Sequence, residues 1–310
     1  FIKASSVNPG FQTGHVITFQ ISLPESRYGR PGTVGPFIQT AVERIRSIPG
    51  VQAAAIGTNL PFLGSGLCSI LIQGKPASNN VDSPFVQFNG VSPGYFQTLE
   101  IPLLSGRDFN FRDTVNSPPV VIVNVALIRR FFAGRNPLGR RLAYFSDHPR
   151  WKEIVGVVAN VRQHGVESGT VPEVFTPLAQ DEFKWLAIAA RTNGDPLSYT
   201  KAIEANVHRV DPDLAVFLPR TMEQVITREL GWRAFHTWLL IIFACIAITL
   251  ACIGIYAVVA YSVTQRVNEI GVRIALGADS SDISRMIVWQ GVAPALFGAL
   301  AGVICSAGVS

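Results

Sequence analysis

The sequence predicts an α+β water-soluble domain, in one or two lobes, followed by transmembrane α-helices. Three observations predict it. Charged residues make up only 15% of the 310-residue chain, about ten points below the globular norm, and the deficit is uneven. No Asp, Glu, Lys or Arg occurs at 234–265 or at 286–310, whereas the first 233 residues read as an ordinary soluble domain. Strand-like and helix-like patterns interleave over the first 220 residues, and from 222 nothing breaks a helix for some forty residues.

Along the chain, 15–23 alternates with Ile17, Phe19, Ile21 and Leu23 on one face, the period of a half-buried strand. Phe37, Ile38, Ala41, Val42, Ile45 and Ile48 recur at helical spacing over 36–48, and Pro49-Gly50 ends that helix before a strand at 51–57. Further strands are expected at 69–73, 85–89, 120–123, 141–145, 151–158, 174–177 and 185–191. Short helices are expected at 93–99 and 124–132, and a longer one at 196–210 that Asp211-Pro212 stops. Pro- and Gly-rich stretches at 60–66 and 74–84 read as surface loops.

Thr221 with Gln224 three residues on fits a capping box, and opens a helix at about 222–262. At 1.5 Å per residue it is about 60 Å long, twice the ~30 Å bilayer core. Trp238, Tyr256 and Tyr261 stand where interfacial aromatics belong. A second charge-free run, about 286–310, is also long enough to span, and its many Gly and Ala residues suit close packing in lipid. Two spans joined by a connector at about 263–285 form a hairpin, and the arginines on its two sides do not fix its orientation. The chain starts at Phe1 and stops within an apolar run, so further sequence is expected on both sides.

The net charge of +5 comes from scattered basic residues mixed with acids, a solvated surface and not a nucleic-acid footprint. The single Gly-Lys, Gly74-Lys75, is followed by Pro76 and lacks the phosphate-cradling loop of an ATP site. Histidines 15, 148, 164, 208 and 236 are too dispersed for a zinc site, and His208 reads as a surface or packing residue. There is no Gly-x-Ser-x-Gly elbow, and nothing pairs Asp108, Asp113, Glu153 and Glu173. Arg107-Asp108 reads as a local ion pair or turn. No catalytic residue, metal site or cofactor site is expected in this chain.

The connector carries the most information. In Glu269-Ile-Gly-Val-Arg-Ile-Ala-Leu-Gly-Ala278, Ile270 and Ile274 share a helix face with Val267, while Glu269 and Arg273 stand i, i+4 on another. Leu276 closes that run, Gly277 suits the residue after a helix end, and Asp279 with Asp282 can start the next helix. Spacing alone leaves this stretch either a docking element or a plain loop.

This stretch closely resembles the connector of MacB/FtsX-type ABC transporter permeases. The resemblance extends to Pro93-Gly-Tyr-Phe-Gln-Thr-Leu-Glu-Ile-Pro-Leu-Leu-Ser-Gly-Arg-Asp-Phe109, to Asn136-Pro-Leu-Gly139, to Ile154-Val-Gly-Val-Val158 and to Arg220-Thr-Met-Glu-Gln-Val225. It implies a MacB-like periplasmic core domain at 1–220, extracytoplasmic, and a truncated FtsX-like permease domain at 221–310. It also implies a multi-pass protein of the bacterial inner membrane, coupled to a partner ABC ATPase that uses the ATP and acting as a permease dimer in membrane lipid. The residues implied to couple to the ATPase are Arg266, Glu269, Ile270, Arg273, Leu276, Gly277, Ala278 and Asp282. The function implied is export or mechanotransmission with an unspecified cargo. A membrane-anchored ligand-sensing receptor is the alternative.

Overall fold

The computed structural model describes residues 10–64, 66–74, 85–146, 148–162, 170–181 and 183–268, with 272, 289 and 302. Two compact units result, Phe1–Leu230 and Gly231–Ser310. The first begins with β1 (Val16–Ser22), α1 (Glu25–Tyr28), α2 (Val34–Arg46) and β2 (Val51–Gly57). Next come β3 (Gly66–Ile72), β4 (Phe85–Val91), α3 (Tyr95–Thr98), β5 (Leu103–Gly106) and β6 (Val120–Asn124). Then follow α4 (Val125–Phe132), β7 (Arg141–Tyr144), β8 (Lys152–Val158), β9 (Glu173–Pro177) and β10 (Trp185–Thr192). A 3₁₀ turn at Pro196–Tyr199, α5 (Thr200–His208) and β11 (Val216–Thr221) lead into α6 (Met222–Gln265).

All eleven strands join one mixed sheet in the order β11-β1-β10-β2-β4-β3-β7-β8-β6-β9, with β5 added to β8. The first four strands form an antiparallel layer. One face of it (Ile17, Phe19, Ile21, Ala54, Ile56, Ile188) packs against Phe37, Ile38, Ala41 and Ile45 of α2 and Ile203 and Val207 of α5. The opposite face (Val16, Ala55, Ala187, Ala189) packs against Tyr95 and Phe96 of α3 and against Met222 and Val225 in the first turns of α6. With apolar layers on both sides β1 is buried on both faces over Val16–Phe19, and keeps the expected half-buried alternation only at Gln20 and Ser22. Thr18 fits inside by donating Oγ1 to the Arg220 carbonyl at 3.0 Å.

The other strands close on themselves. Strands β4, β3, β7, β8, β6 and β9 are each paired with the next, and β9 returns to β4 in parallel register, so they form a closed barrel. Its seam with the layer is a single strand pairing, Gly57 opposite Val91. An amide network reinforces that junction: Asn89 Oδ1 accepts from Thr58 Oγ1 at 2.8 Å and from the Asn59 N–H at 3.1 Å, and Asn89 Nδ2 donates to the Asn59 carbonyl at 3.0 Å. Register places Val86, Ile70, Ile72, Leu142, Ile154, Val121, Val123 and Val174 on the barrel's inner face. Leu127, Ile128 and Phe132 of α4 join that cluster. Asn124 caps α4 through Oδ1 to the Leu127 N–H at 2.9 Å, and the same oxygen accepts from the Glu173 N–H at 3.1 Å, tying the helix start to β9.

Three elements escape the sequence pattern: α1, β5 and β11. β5 is four residues long and exposed throughout. β11 carries Pro219 and pairs only with β1, across a bulge, which suits an edge strand that cannot donate every ladder hydrogen bond. The expected helix at 196–210 splits into the 3₁₀ turn and α5. Arg107 forms its ion pair with Asp113 (2.8 Å) and not with Asp108, whose Oδ1 instead accepts the Phe109 N–H at 2.6 Å. The expected span at 286–310 lies outside the described residues except for 289 and 302.

Candidate functional site

The start and the sequence of helix α6 set its role. The capping box is formed: Gln224 N–H donates to Thr221 Oγ1 and Thr221 N–H donates to Gln224 Oε1, both at 3.2 Å. Met222 (0% exposed) and Val225 (3%) anchor the opening turns in the core of the first unit. The helix runs for 44 residues, about 66 Å. Within its stretch Trp238–Gln265 an 18-residue window reaches a mean hydropathy of 2.8 with no buried residue, so the stretch is long and apolar enough to cross a membrane. Apolar side chains surround it on all sides, among them Trp238, Phe243, Ile248, Leu250 and Tyr256. Two of its threonine hydroxyls are satisfied within the helix, Thr249 Oγ1 donating to the Cys245 carbonyl at 2.8 Å and Thr264 Oγ1 to the Ala260 carbonyl at 2.9 Å, as a medium without water favours.

The helix ends at Gln265, three residues later than the sequence pattern suggests. Arg266 sits exposed in the turn that follows, its N–H donating to the Val263 carbonyl at 3.1 Å. Of the connector residues, Glu269, Ile270, Arg273, Leu276, Gly277, Ala278 and Asp282 lie outside the described residues.

A second site, which sequence reasoning missed, lies at the open end of the barrel. There the inner face changes from aliphatic to polar and aromatic: Phe88, Cys68, Tyr144, Lys152 and Thr176 continue the inward register. The Lys152 side chain is 2% exposed and forms an ion pair with Asp181, which is 23% exposed. Thr176 Oγ1 donates to Asp181 Oδ2 at 2.5 Å and accepts from Lys152 Nζ at 3.2 Å. The ammonium also lies 4.8 Å from the centre of the Tyr144 ring, within cation–π range. Burial lowers the Lys152 pKa and outweighs the attraction of Asp181; the nearby positive charge of Arg150 pushes the same way. Burial raises the Cys68 thiol to about 12, so it stays protonated and unreactive at neutral pH. The Tyr144 phenol is held well above its usual range, first by burial and then by Asp181. One signal was readable in the sequence: in 151–158, Lys152 falls on the same strand face as Ile154, a cation where a core residue belongs.

Above this floor opens a cleft of about 600 Å³. Phe88 and Phe183 stack in its wall with ring centroids 5.7 Å apart, and Val115, Arg150 and Gln180 stand around it. Among the described residues no cluster of His, Cys, Asp and Glu could hold a metal ion. His208, exposed on α5, has Nε2 3.0 Å from the Leu214 carbonyl, the surface role expected of it.

The last strand of the folded α/β domain runs directly into an apolar helix long enough to cross a membrane, the arrangement of a membrane-anchored extracytoplasmic domain. Residues 5–206 match the MacB-like periplasmic core domain and residues 241–310 match the FtsX-like permease C-terminal region. The chain belongs to the MacB/FtsX-type ABC transporter permease family. The probable export ATP-binding/permease protein MacB of Pseudomonas entomophila is 28% identical over 242 residues, covering 74% of this chain and 35% of that protein. The uncharacterized ABC transporter permease YknZ of Bacillus subtilis is 23% identical over 295 residues, covering 91% of this chain and 73% of that protein. The periplasmic region of MacB from Actinobacillus actinomycetemcomitans aligns in structure with a TM-score of 0.45 and 13% identity, over 70% of this chain and 92% of that one. The chain thus spans about a third of the length of the MacB relative.

Proposed function

We propose that this chain is part of the permease subunit of an ABC transporter. A partner ATPase hydrolyses ATP, and the permease converts that work into movement of the first unit for export or mechanotransmission. In this reading residues 1–220 are the periplasmic core domain of a multi-pass, dimeric protein of the bacterial inner membrane. Residues 221–310 begin the permease domain, with a second span at about 286–310. Arg266, Glu269, Ile270, Arg273, Leu276, Gly277, Ala278 and Asp282 contact the ATPase.

The observation that carries the reading is α6: its opening turns are anchored in the core of the first unit, and no break interrupts it before Gln265. A helix transmits axial displacement because every residue is fixed to the next turn by hydrogen bonds. From Trp238 to Gln265 there is no ionisable side chain of the kind that marks an ion or proton path through lipid, which favours mechanical coupling over conduction. The MacB relative of Pseudomonas entomophila is an ATP-binding/permease protein by name, and that pairing supports an ATPase as the partner.

Testing this requires the full-length permease co-expressed with a candidate ABC ATPase from the same genome. The Glu269→Lys, Arg273→Glu double variant should fold and reach the membrane but lose co-purification with the ATPase. Co-purification equal to wild type would return the connector to a plain loop. Absence of any such ATPase in the wild-type complex would defeat the permease reading.

A further inference from the structure

We infer that the mouth of the barrel is a binding site for an aromatic molecule carrying a carboxylate or similar acceptor-only head group. Four features carry it. The site is the open end of a closed barrel, a place where folds of this kind hold ligands. Its volume of about 600 Å³ is that of a small-molecule pocket. Its wall is aromatic, with Phe88 stacked on Phe183 and tilted against Tyr144 at 6.3 Å between centroids, which favours a flat ring in offset or edge contact.

The fourth feature is the polarity of the groups that converge there. Tyr144 Oη is buried with no hydrogen-bond partner of normal geometry among the described residues; the neighbouring Thr176 hydroxyl, already engaged with Lys152 and Asp181, interacts with it only weakly, and the phenol stays protonated as a donor. Asp181 is already occupied by Lys152 and Thr176. Gln180 is likewise committed, Oε1 to the Val120 N–H and Nε2 to Ser117 Oγ and the carbonyls of Thr114 and Pro118. Arg150 is held on the rim by a 3.3 Å hydrogen bond from Nη2 to the Val115 carbonyl, and among the described residues it has no ion-pair partner. A guanidinium has five donors, so this one bond leaves capacity for a ligand.

Two cations against one carboxylate leave the described cleft with an excess positive charge, and its uncommitted groups are donors. An anion that accepts hydrogen bonds complements both. Asp147 and Glu182 adjoin the cleft in sequence and lie outside the described residues, so the test includes a cationic probe.

The experiment uses the full-length protein in nanodiscs and isothermal titration with three naphthalene probes: naphthoate, naphthylmethanol and naphthylmethylammonium. Empty discs supply the blank. Saturable binding at one site per chain is expected, with naphthoate about tenfold tighter than either counterpart, the scale of one charge-assisted contact. Arg150→Gln, at an exposed residue that should not disturb folding, should remove that preference. Val115→Trp should fill the cleft and abolish binding of all three, while circular dichroism stays at the wild-type value. Heat indistinguishable from empty discs, equal affinity for the three probes, preference for the ammonium, or a preference unchanged in Arg150→Gln would each overturn the inference.

Discussion

Replacing Asp181 by Asn should destabilise the first unit far more than replacing Lys152 by Met. The Lys152 side chain is 2% exposed and Asp181 23% exposed. Asp181→Asn therefore removes the counter-charge of an ammonium buried in an apolar barrel, leaving it the neutral Asn oxygen, Thr176 Oγ1 and the Tyr144 ring. Breaking a buried pair in this way costs about 3–5 kcal/mol. Lys152→Met keeps the volume and removes the buried charge, leaving a carboxylate that is partly hydrated and still bonded to Thr176; about 1–2 kcal/mol is expected. The double variant should lie within about 1 kcal/mol of wild type, since an apolar and neutral replacement of the whole pair is often neutral.

The sign of the pH dependence follows from the same burial. The folded Lys152 pKa is lowered below its ordinary value of about 10.4, so the folded state binds fewer protons than the unfolded state between the two values. Lys152 thus contributes a penalty that is full below the folded pKa and relieved as pH rises towards the unfolded one. Wild type should gain stability relative to Lys152→Met as pH increases through that window. Urea unfolding of residues 1–230, followed by tryptophan fluorescence at several pH values, measures both effects. Equal losses for Asp181→Asn and Lys152→Met, or a wild-type advantage that shrinks with rising pH, would refute the reasoning.

Three further outcomes follow. Met222→Ala, at a residue with 0% exposure, should cost the first unit about 2–4 kcal/mol in the same urea titration, because it opens a cavity where α6 is anchored. Thr221→Ala should cost about 1 kcal/mol and fray the first turn of α6, read as faster amide exchange at Glu223 and Gln224. Gly106→Ala should lower the melting temperature by several degrees, since the residue has φ +78° and its Cβ would stand 2.1 Å from the Val155 carbonyl oxygen where β5 meets β8.

The elements most legible in sequence were those whose pattern is local. The alternation at 15–23, the helical spacing at 36–48, the apolar run at 120–123 and the capping box at Thr221 each depend on near neighbours, and each produced the element expected. Closure of the barrel was illegible because it rests on β4 pairing in parallel with β9, Gln87 opposite Glu173, a contact between distant segments that no local period encodes. For the same reason Lys152 looked like an ordinary strand cation until register turned it inward beside Asp181. β11 hid because an edge strand containing Pro219, with Leu218 at φ +56°, shows neither alternation nor an apolar run. The family resemblance, in turn, rested on short motifs such as 93–109, whose Tyr95, Phe96 and Leu99 fill the core beneath the sheet.

The most direct test of the account is whether α6 carries ATP-driven movement to the first unit. A fluorophore would be attached at Trp185→Cys, an exposed position on β10, after replacing the four native cysteines. Its signal would be compared between ATP and ADP states of the permease–ATPase complex. Three glycines inserted after Arg228 would then interrupt the helix, at a cost of about 1 kcal/mol each, without touching the connector. The account predicts a nucleotide-dependent change in the uninterrupted protein that disappears in the insertion variant while ATPase binding persists. The same change surviving the insertion would contradict it.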